Sequence, residues 1–393
     1  MAAPLPIARP NPFDPPAVLL DGAPLRPLAF PDGHVGWLVT DHAVAREVLA
    51  DRRFTSRLEF RRSPVHRPNV PNFQAGQAAL PGFFIAMDPP DHTRYRRALT
   101  GQFTVRRMNQ LRPRVEQIVA ERLDLLEQAG PGSDLVATFA LPVPSLVICE
   151  LLGVPYADRA LFQNASAVLL RLGVSDAEAG EAMATLLGYL KELIARTRRE
   201  PGDDILGGLA ESGTLDDEEL LGIALLLLVA GHETTANMLA LGTFALLRHP
   251  EQAEALRAGT VSADSAVEEL LRYLSITQFG TGRAALEDVD LAGQHIKAGD
   301  MVIVSIPAAN RSSDRFADPH TLDLGRDARG HLAFGHGVHQ CLGQQLARIE
   351  MRAGYTALFR RFPALRLAVP ADEVPLRHDM AIYGVHALPV EWS

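Results

Sequence analysis

A mainly α-helical chain with a small β-rich region is the architecture this sequence predicts, and three observations carry it. From the start signal Asp88-Pro89-Pro90 to Pro250, apolar residues recur almost throughout at helical spacing. Between Leu274 and Val304 the character changes to short runs of Thr, Val, Ile and Gly, which read as strands and turns. No repeat or low-complexity segment interrupts the 393 residues, 47% of them hydrophobic, so residues 1–393 read as a single domain with one large core.

Taken in order, the opening is extended and punctuated by proline. Trp37 to Thr40 reads as a strand, and Asp41 as the N-cap of an amphipathic helix through Leu49. Residues 61–81, with several prolines and little periodicity, read as loop. Thr214-Leu215-Asp216-Asp217 reads as a capping box, with Glu218 and Glu219 adding negative charge to the first turn. Periodicity then runs to Leu247, about 34 residues or roughly 50 Å of helix. Residues 307–337 are irregular, a last helix spans about Leu342 to Phe359, and the tail from Leu365 to Val390 reads as short strands.

Net charge is −9, and no Lys/Arg block resembles a nucleic-acid footprint. Lys191 and Lys297 are the only lysines, so the positive charge is nearly all arginine, which suits bidentate carboxylate recognition. Cys149 and Cys341 lie far apart and form no disulfide framework, so a reducing cytoplasm is the simple reading. The segment Met1 to Pro16 has neither the charged nor the apolar region of a signal peptide. The longest apolar run, Ile223 to Ala230, falls short of the about 20 residues that span a bilayer. No membrane association is expected, and a monomer is the simplest expectation.

The most informative segment is Phe334-Gly335-His336-Gly337-Val338-His339-Gln340-Cys341-Leu342-Gly343. Helical spacing begins just after the cysteine, with Leu342, Leu346, Ile349 and Ala353. Cys341 therefore lies at or just before a helix N-terminus, where unpaired amides and the helix dipole stabilise a thiolate. The glycines let backbone approach a flat ligand closely. Such a thiolate can ligate iron. A zinc cluster of His336, His339 and Cys341 would want more cysteines than lie nearby. A phosphate loop lacks its closing Gly-Lys-Ser/Thr, and the flanks of Cys341 match no cysteine hydrolase signature. Cys149, in the apolar run Leu146 to Leu152, reads as a core residue.

This segment resembles the haem-binding loop of the cytochrome P450 family at Phe334, Gly335, Gly337, His339, Cys341 and Gly343, and Arg348 fits the bacterial pattern. The resemblance covers Trp37 to about Pro389. Asn11 to Pro16 is similar to the opening of actinobacterial members acting on secondary metabolites or xenobiotics. The resemblance implies the family's mainly α prism with a small β region near the N-terminus. It implies haem b held by Cys341 as metal ligand, with Phe334, Gly335, Gly343 and Ala230 beside it.

In the middle of the long helix stands Ala230-Gly231-His232-Glu233-Thr234-Thr235. A charge and hydroxyls in a buried apolar helix are costly. The Thr234 hydroxyl can bond back to the Ala230 carbonyl and loosen the helix, and Gly231 removes a side chain where a ligand could approach. A polar-stabilised kink is the bland reading. The segment resembles the family's oxygen-binding groove, which implies that Thr234 and Glu233 are the catalytic pair relaying protons to bound dioxygen. Glutamate stands where many relatives carry aspartate.

His92 and Arg96 lie one turn apart on one face, with Arg94 and Arg97 nearby; cations in a first turn oppose the dipole and ask for an anion. A solvated basic face is the alternative. The resemblance implies that His92, Arg96, Arg283 and His339 bind the haem propionates. It also implies that Glu269, Arg272 and Arg326 form a structural knot. The implied substrate pocket comprises Phe84, Ile85, Leu226, Leu227, Ile276, Thr277, Phe279, Ile382 and Tyr383, with Gln278, Thr277 and the Tyr383 hydroxyl as polar handles. The segment Leu161 to Leu190, containing Gly173 and Gly180, would be its lid. The implied activity is insertion of one atom of dioxygen into a hydrophobic small molecule. Electrons would come from NAD(P)H through a separate ferredoxin reductase and ferredoxin, a class I arrangement. A peroxide-driven enzyme and a non-catalytic haem sensor are the rivals, and the Glu233-Thr234 pair argues against both.

Overall fold

The computed structural model describes residues 2–68 and 76–392, so residues 69–75 of the loop read at 61–81 lie outside the described residues. Local chemistry starts most of the helices. α1 (His42–Ala50) begins where the Asp41 carboxylate accepts the Val44 amide. α2 (Asp91–Thr100) follows the proline pair, and α3 (Val105–Ala129) is capped by Thr104. A π-helical turn, Val136–Ala140, leads into α4 (Pro142–Leu152). α5 (Arg159–Leu170) is linked by residues 171–175 to α6 (Asp176–Arg199), which opens on a Ser175/Glu178 capping box. α7 (Ile205–Ser212) precedes the 32-residue α8 (Asp217–Arg248).

The box that opens α8 is Asp216 with Glu219, two residues beyond the frame read from the sequence. Asp216 is the residue in extended backbone, and its carboxylate accepts the Glu219 amide at 2.9 Å. Then come α9 (Pro250–Ala258), α10 (Ala263–Leu274), the short α11 (Ile306–Ala309) and α12 (Gln344–Arg361).

The strands are β1 (Ala3–Pro4), β2 (Leu25–Ala29), β3 (Val35–Val39), β4 (Phe54–Thr55), β5 (Ser133–Asp134), β6 (Thr281–Ala285), β7 (Val289–Leu291), β8 (Gln294–Ile296), β9 (Met301–Val304), β10 (Arg366–Leu367) and β11 (Pro389–Glu391). The main sheet runs β1-β2-β3-β9-β6-β4, with β3 parallel to β9 (Trp37 opposite Val302). The β region therefore joins N-terminal strands to the 281–304 segment. Two small sheets, β10-β11-β5 and β7-β8, complete the set among the described residues.

Burial explains why α8 tolerates so apolar a sequence. It is buried along most of its length, packed by α4, α6 and α12. It is the one helix among the described residues long and apolar enough to cross a membrane, and 78% of its most apolar window is covered by protein. Gly242 lets α12 approach closely: a Cβ there would collide with Tyr355, whose hydroxyl donates to the Met238 carbonyl. This crossing anchors α12, whose N-terminal end carries the cysteine loop. Beside it Glu269 accepts both Nε (2.7 Å) and Nη2 (2.8 Å) of Arg272, and Arg326 Nε at 3.2 Å. Arg272 also donates to the carbonyls of Asn310 and Pro319, so this buried knot is closed on itself.

Candidate active site

Cys341 lies two residues before Gly343, the N-cap of α12. Its own amide donates to the Phe334 carbonyl at 2.8 Å, which folds the loop into a tight turn. Gly337 has φ +74°, and a Cβ there would sit 2.5 Å from the Leu49 carbonyl at the end of α1. Burial pushes the Cys341 thiol up, while the amides of Gly343 and Gln344 and the guanidiniums of Arg96 and Arg348 pull it down. Cys149, packed in the core, is pushed up to about 12, chiefly by burial, which keeps it an inert thiol.

A crowd of basic side chains stands beside this loop. The His92 and His339 rings lie 4.3 Å apart, and both His92 nitrogens are buried without a hydrogen-bond partner. Arg283 is only 4% exposed, and its guanidinium donates to the neighbouring Gly282 carbonyl. Burial lowers Arg283 to about 10, with Arg61 pushing the same way. His339 falls to about 2 through burial and then the charges of Arg283, His92, Arg61 and Arg96. Asp88, held by Thr55 and the Ser56 amide, is the acid that partly offsets them. Arg96 ties α2 to the loop through the Gln340 carbonyl. Buried guanidiniums in excess of the nearby acid, beside ring nitrogens left unpaired, call for a multiply anionic partner. A haem with two propionates fits this donor set, with the cysteine close by. Arg61 belongs to the crowd although nothing in its proline-rich surroundings signalled it. Arg94 does not, because its charge is spent on Glu219.

In α8, Ala230 is exposed although the helix around it is buried. The Thr234 hydroxyl donates to the Ala230 carbonyl at 2.9 Å, as the sequence predicts, but the helix stays continuous there. Gly231 serves packing and not ligand approach: a Cβ on it would lie 2.7 Å from Ile148 Cδ1 of α4. His232 is fully buried, donates from Nδ1 to the Leu228 carbonyl at 2.7 Å, and meets the Phe162 ring edge-on.

Glu233 faces away from Thr234. Its carboxylate accepts Arg377 Nη2 at 3.2 Å, and Asn237 Nδ2 donates to its carbonyl at 2.7 Å. Beside it opens a cavity of about 300 Å³ lined by Gln163, Asn164, Asn237, Arg377 and His386 among others. Arg377, in the C-terminal tail, went unnoticed in the sequence because 144 positions separate it from Glu233.

The residues read as a substrate pocket divide. Phe84 packs against His92, Leu226 and Leu227 are nearly buried on α8, and Ile85 is 43% exposed. Ile276, Thr277 and Ile382 are half-buried, and a bridge joins Thr277 to Ile382. Tyr383 is a correction: it is wholly buried, its hydroxyl donates to the Pro12 carbonyl at 2.9 Å, and Arg9 covers its ring. Phe279 is likewise taken up in the core beneath the main sheet. Gln278 Nε2 is spent on the His378 and Met380 carbonyls, but its Oε1 has no partner, so Thr277 and this oxygen are the expected polar handles left. In the segment read as a lid, Gly173 (φ +74°) lies in the α5–α6 link but Gly180 is inside α6. The link is tethered to the tail through Leu172 and the Asp379 carbonyl.

Comparison with known proteins shows the family. The family model described as Cytochrome P450 matches residues 183–381. Cytochrome P450 105C1 of a Streptomyces species is 53% identical over 98% of this chain and 97% of its own. Pentalenic acid synthase of Streptomyces avermitilis is 47% identical over 97% of this chain and 95% of its own. The crystal structure of CYP105P1 in complex with filipin I superposes with a TM-score of 0.93 at 41% identity, covering 100% of this chain and 99% of that one. The chain belongs to the cytochrome P450 family, whose members are haem monooxygenases.

Proposed function

We propose that this chain is a cytoplasmic haem b monooxygenase inserting one atom of dioxygen, by hydroxylation or epoxidation, into a neutral, fairly bulky and mainly apolar small molecule. Electrons reach it from NAD(P)H through a separate ferredoxin reductase and ferredoxin. The observation that carries the reading is one helix bearing both the Thr234 hydroxyl, one turn beyond the exposed Ala230, and the buried Glu233 carboxylate on a cavity of mixed polar and apolar lining. A haem protein that only senses a ligand needs no such pair. The names of two relatives, a pentalenic acid synthase and a structure holding filipin I, support the substrate class.

When bound, haem supplies the reductive activation of dioxygen and the oxygen insertion. The chain supplies the rest. Cys341 gives a thiolate whose basicity the Gly343 and Gln344 amides temper. Arg96 and Arg283, joined by Arg61, would balance the propionate charge, and His92 and His339 would hydrogen-bond the same groups through their rings. Glu233 collects protons from the cavity and passes them towards Thr234, while Arg377 holds its carboxylate on the cavity side between deliveries. Phe84, Ile85, Leu226, Leu227, Ile276, Thr277 and Ile382 shape the apolar pocket. An acidic ferredoxin docks on Arg97, Arg106 and Arg107, since Arg94 and Arg352 are paired with Glu219 and Asp264. Its association slows as salt rises.

The test is turnover of ligands first selected by displacement of the iron's water in a spectral screen. Product should form with NAD(P)H, reductase and ferredoxin, and hardly at all with peroxide alone. Equal turnover with peroxide alone would favour a peroxygenase. Binding with no turnover by either route would favour a sensor.

A further inference from the structure

Two neighbouring acids on α10 serve different regions. Glu269 closes the knot with Arg272 and Arg326, whereas Glu268 reaches the cysteine loop. The Glu268 carboxylate accepts Arg348 on both oxygens, Nε to Oε1 and Nη2 to Oε2 at 3.0 Å. It also accepts from His331 Nε2 at 3.1 Å. His331 Nδ1 accepts the Ala333 amide at 3.1 Å, which puts the ring proton on Nε2, where Glu268 needs it. Burial would raise the Glu268 carboxyl, but the bonds from His331 and Arg348 outweigh it and hold it at about 2. The Arg348 guanidinium, gripped in this way, lies 4.5 Å from the centroid of the Phe334 ring. Gln344 accepts its remaining arm at 2.9 Å. Phe334 in turn holds the cysteine, because its carbonyl accepts the Cys341 amide. Side chains from α10, from α12 and from the segment before the loop therefore converge on the residue to which Cys341 is tied.

We propose that Glu268, Arg348 and His331 are positioning residues that clamp Phe334 and, through it, set the orientation and electron donation of the Cys341 thiolate. The inference rests on the reading of Cys341 as the haem ligand. Two physical routes lead from the clamp to the sulfur. The first is steric: a ring pinned by a fixed guanidinium fixes the carbonyl that receives the Cys341 amide. The second is electrostatic: the Arg348 guanidinium is a fixed charge held against Phe334 of the cysteine loop, and Glu268 offsets that charge. Removing the acid leaves an unbalanced cation near the sulfur, which favours the extra electron of the reduced state. Removing the cation leaves an unbalanced anion, which disfavours it.

The experiment uses the full haem-loaded chain as wild type, Glu268→Gln, Arg348→Gln and His331→Gln. It records the carbon monoxide band of the reduced protein and then the midpoint potential. The expected result is a rise for Glu268→Gln and a fall for Arg348→Gln, with faster loss of the red-shifted band on standing in all three variants. Potentials and band lifetimes unchanged from wild type, with only thermal stability lowered, would overturn the clamp. Shifts of the same sign in the two charge variants would overturn its electrostatic route. Should Arg348→Gln fail to fold, Glu268→Gln still decides, by rising or staying put. A wild type without the red-shifted band overturns the ligand reading and the clamp with it; a normal band with unmoved potentials overturns the clamp alone.

Discussion

Arg272 and Arg283 are both buried, at 0% and 4% exposure, yet their surroundings are opposite. Arg272 finds a carboxylate, three carbonyls and a second arginine sharing that carboxylate, all from within the chain. Arg283 finds a second guanidinium, Arg61, and the uncharged His339 ring, with Asp88 as counterweight. The first arrangement is complete as a folded structure. The second is complete only with an anion from outside. A buried charge whose partners all lie in the chain marks architecture, and one whose partners are missing marks a site. Glu233 is intermediate, with Arg377 on one oxygen and a cavity beside it.

Five substitutions test this contrast. Arg272→Ala should cost about 3–5 kcal/mol of folding stability, since it leaves Glu269 with Arg326 as its one charge partner and orphans buried carbonyls, whether or not haem is present. Denaturant unfolding of the haem-free chain is the check, and a loss under about 1 kcal/mol would place the knot with ordinary surface pairs. Glu233→Gln should slow coupled product formation by about a hundredfold without changing haem retention, and Thr234→Ala should divert NAD(P)H to peroxide or water. Product and peroxide measured against NAD(P)H consumed test both.

Arg283→Ala should weaken haem binding by roughly ten- to a hundredfold, the worth of one charge-assisted bond, while leaving the haem-free chain no less stable. A haem-free chain destabilised as much as by Arg272→Ala would erase the contrast.

The smallest effect concerns Glu350 on α12. It is buried, with Oε2 lacking a partner, and burial raises its carboxyl from the ordinary 4.5 to about 8. Between those values the unfolded chain has lost this proton and the folded chain keeps it, so folding stability falls as pH rises through that window. Glu350→Gln should flatten that part of the profile, and an unchanged slope would show that Glu350 does not titrate this way.

The cysteine loop and the Ala230–Thr235 stretch were legible in the sequence because their chemistry is local. A cysteine at a helix start and a hydroxyl four residues after a carbonyl are matters of spacing. Helix spans were legible for the same reason, although the frame of the α8 cap slipped by two residues where several acids competed for it. Arg61, Arg377 and Glu268 were not legible as site residues, since their partners lie in segments distant along the chain. Gly231 misled because spacing cannot say which face α4 occupies. Tyr383 misled because nothing in the tail announces that its hydroxyl reaches Pro12, 371 positions away.

On the proposed function Cys341, and not Cys149, carries the iron. The most direct measurement is the carbon monoxide spectrum of the reduced, haem-loaded protein in Cys341→Ser and Cys149→Ser variants. Loss of the strongly red-shifted band in the first and its retention in the second is the predicted result. A band that survives Cys341→Ser and disappears in Cys149→Ser would contradict the account at its root.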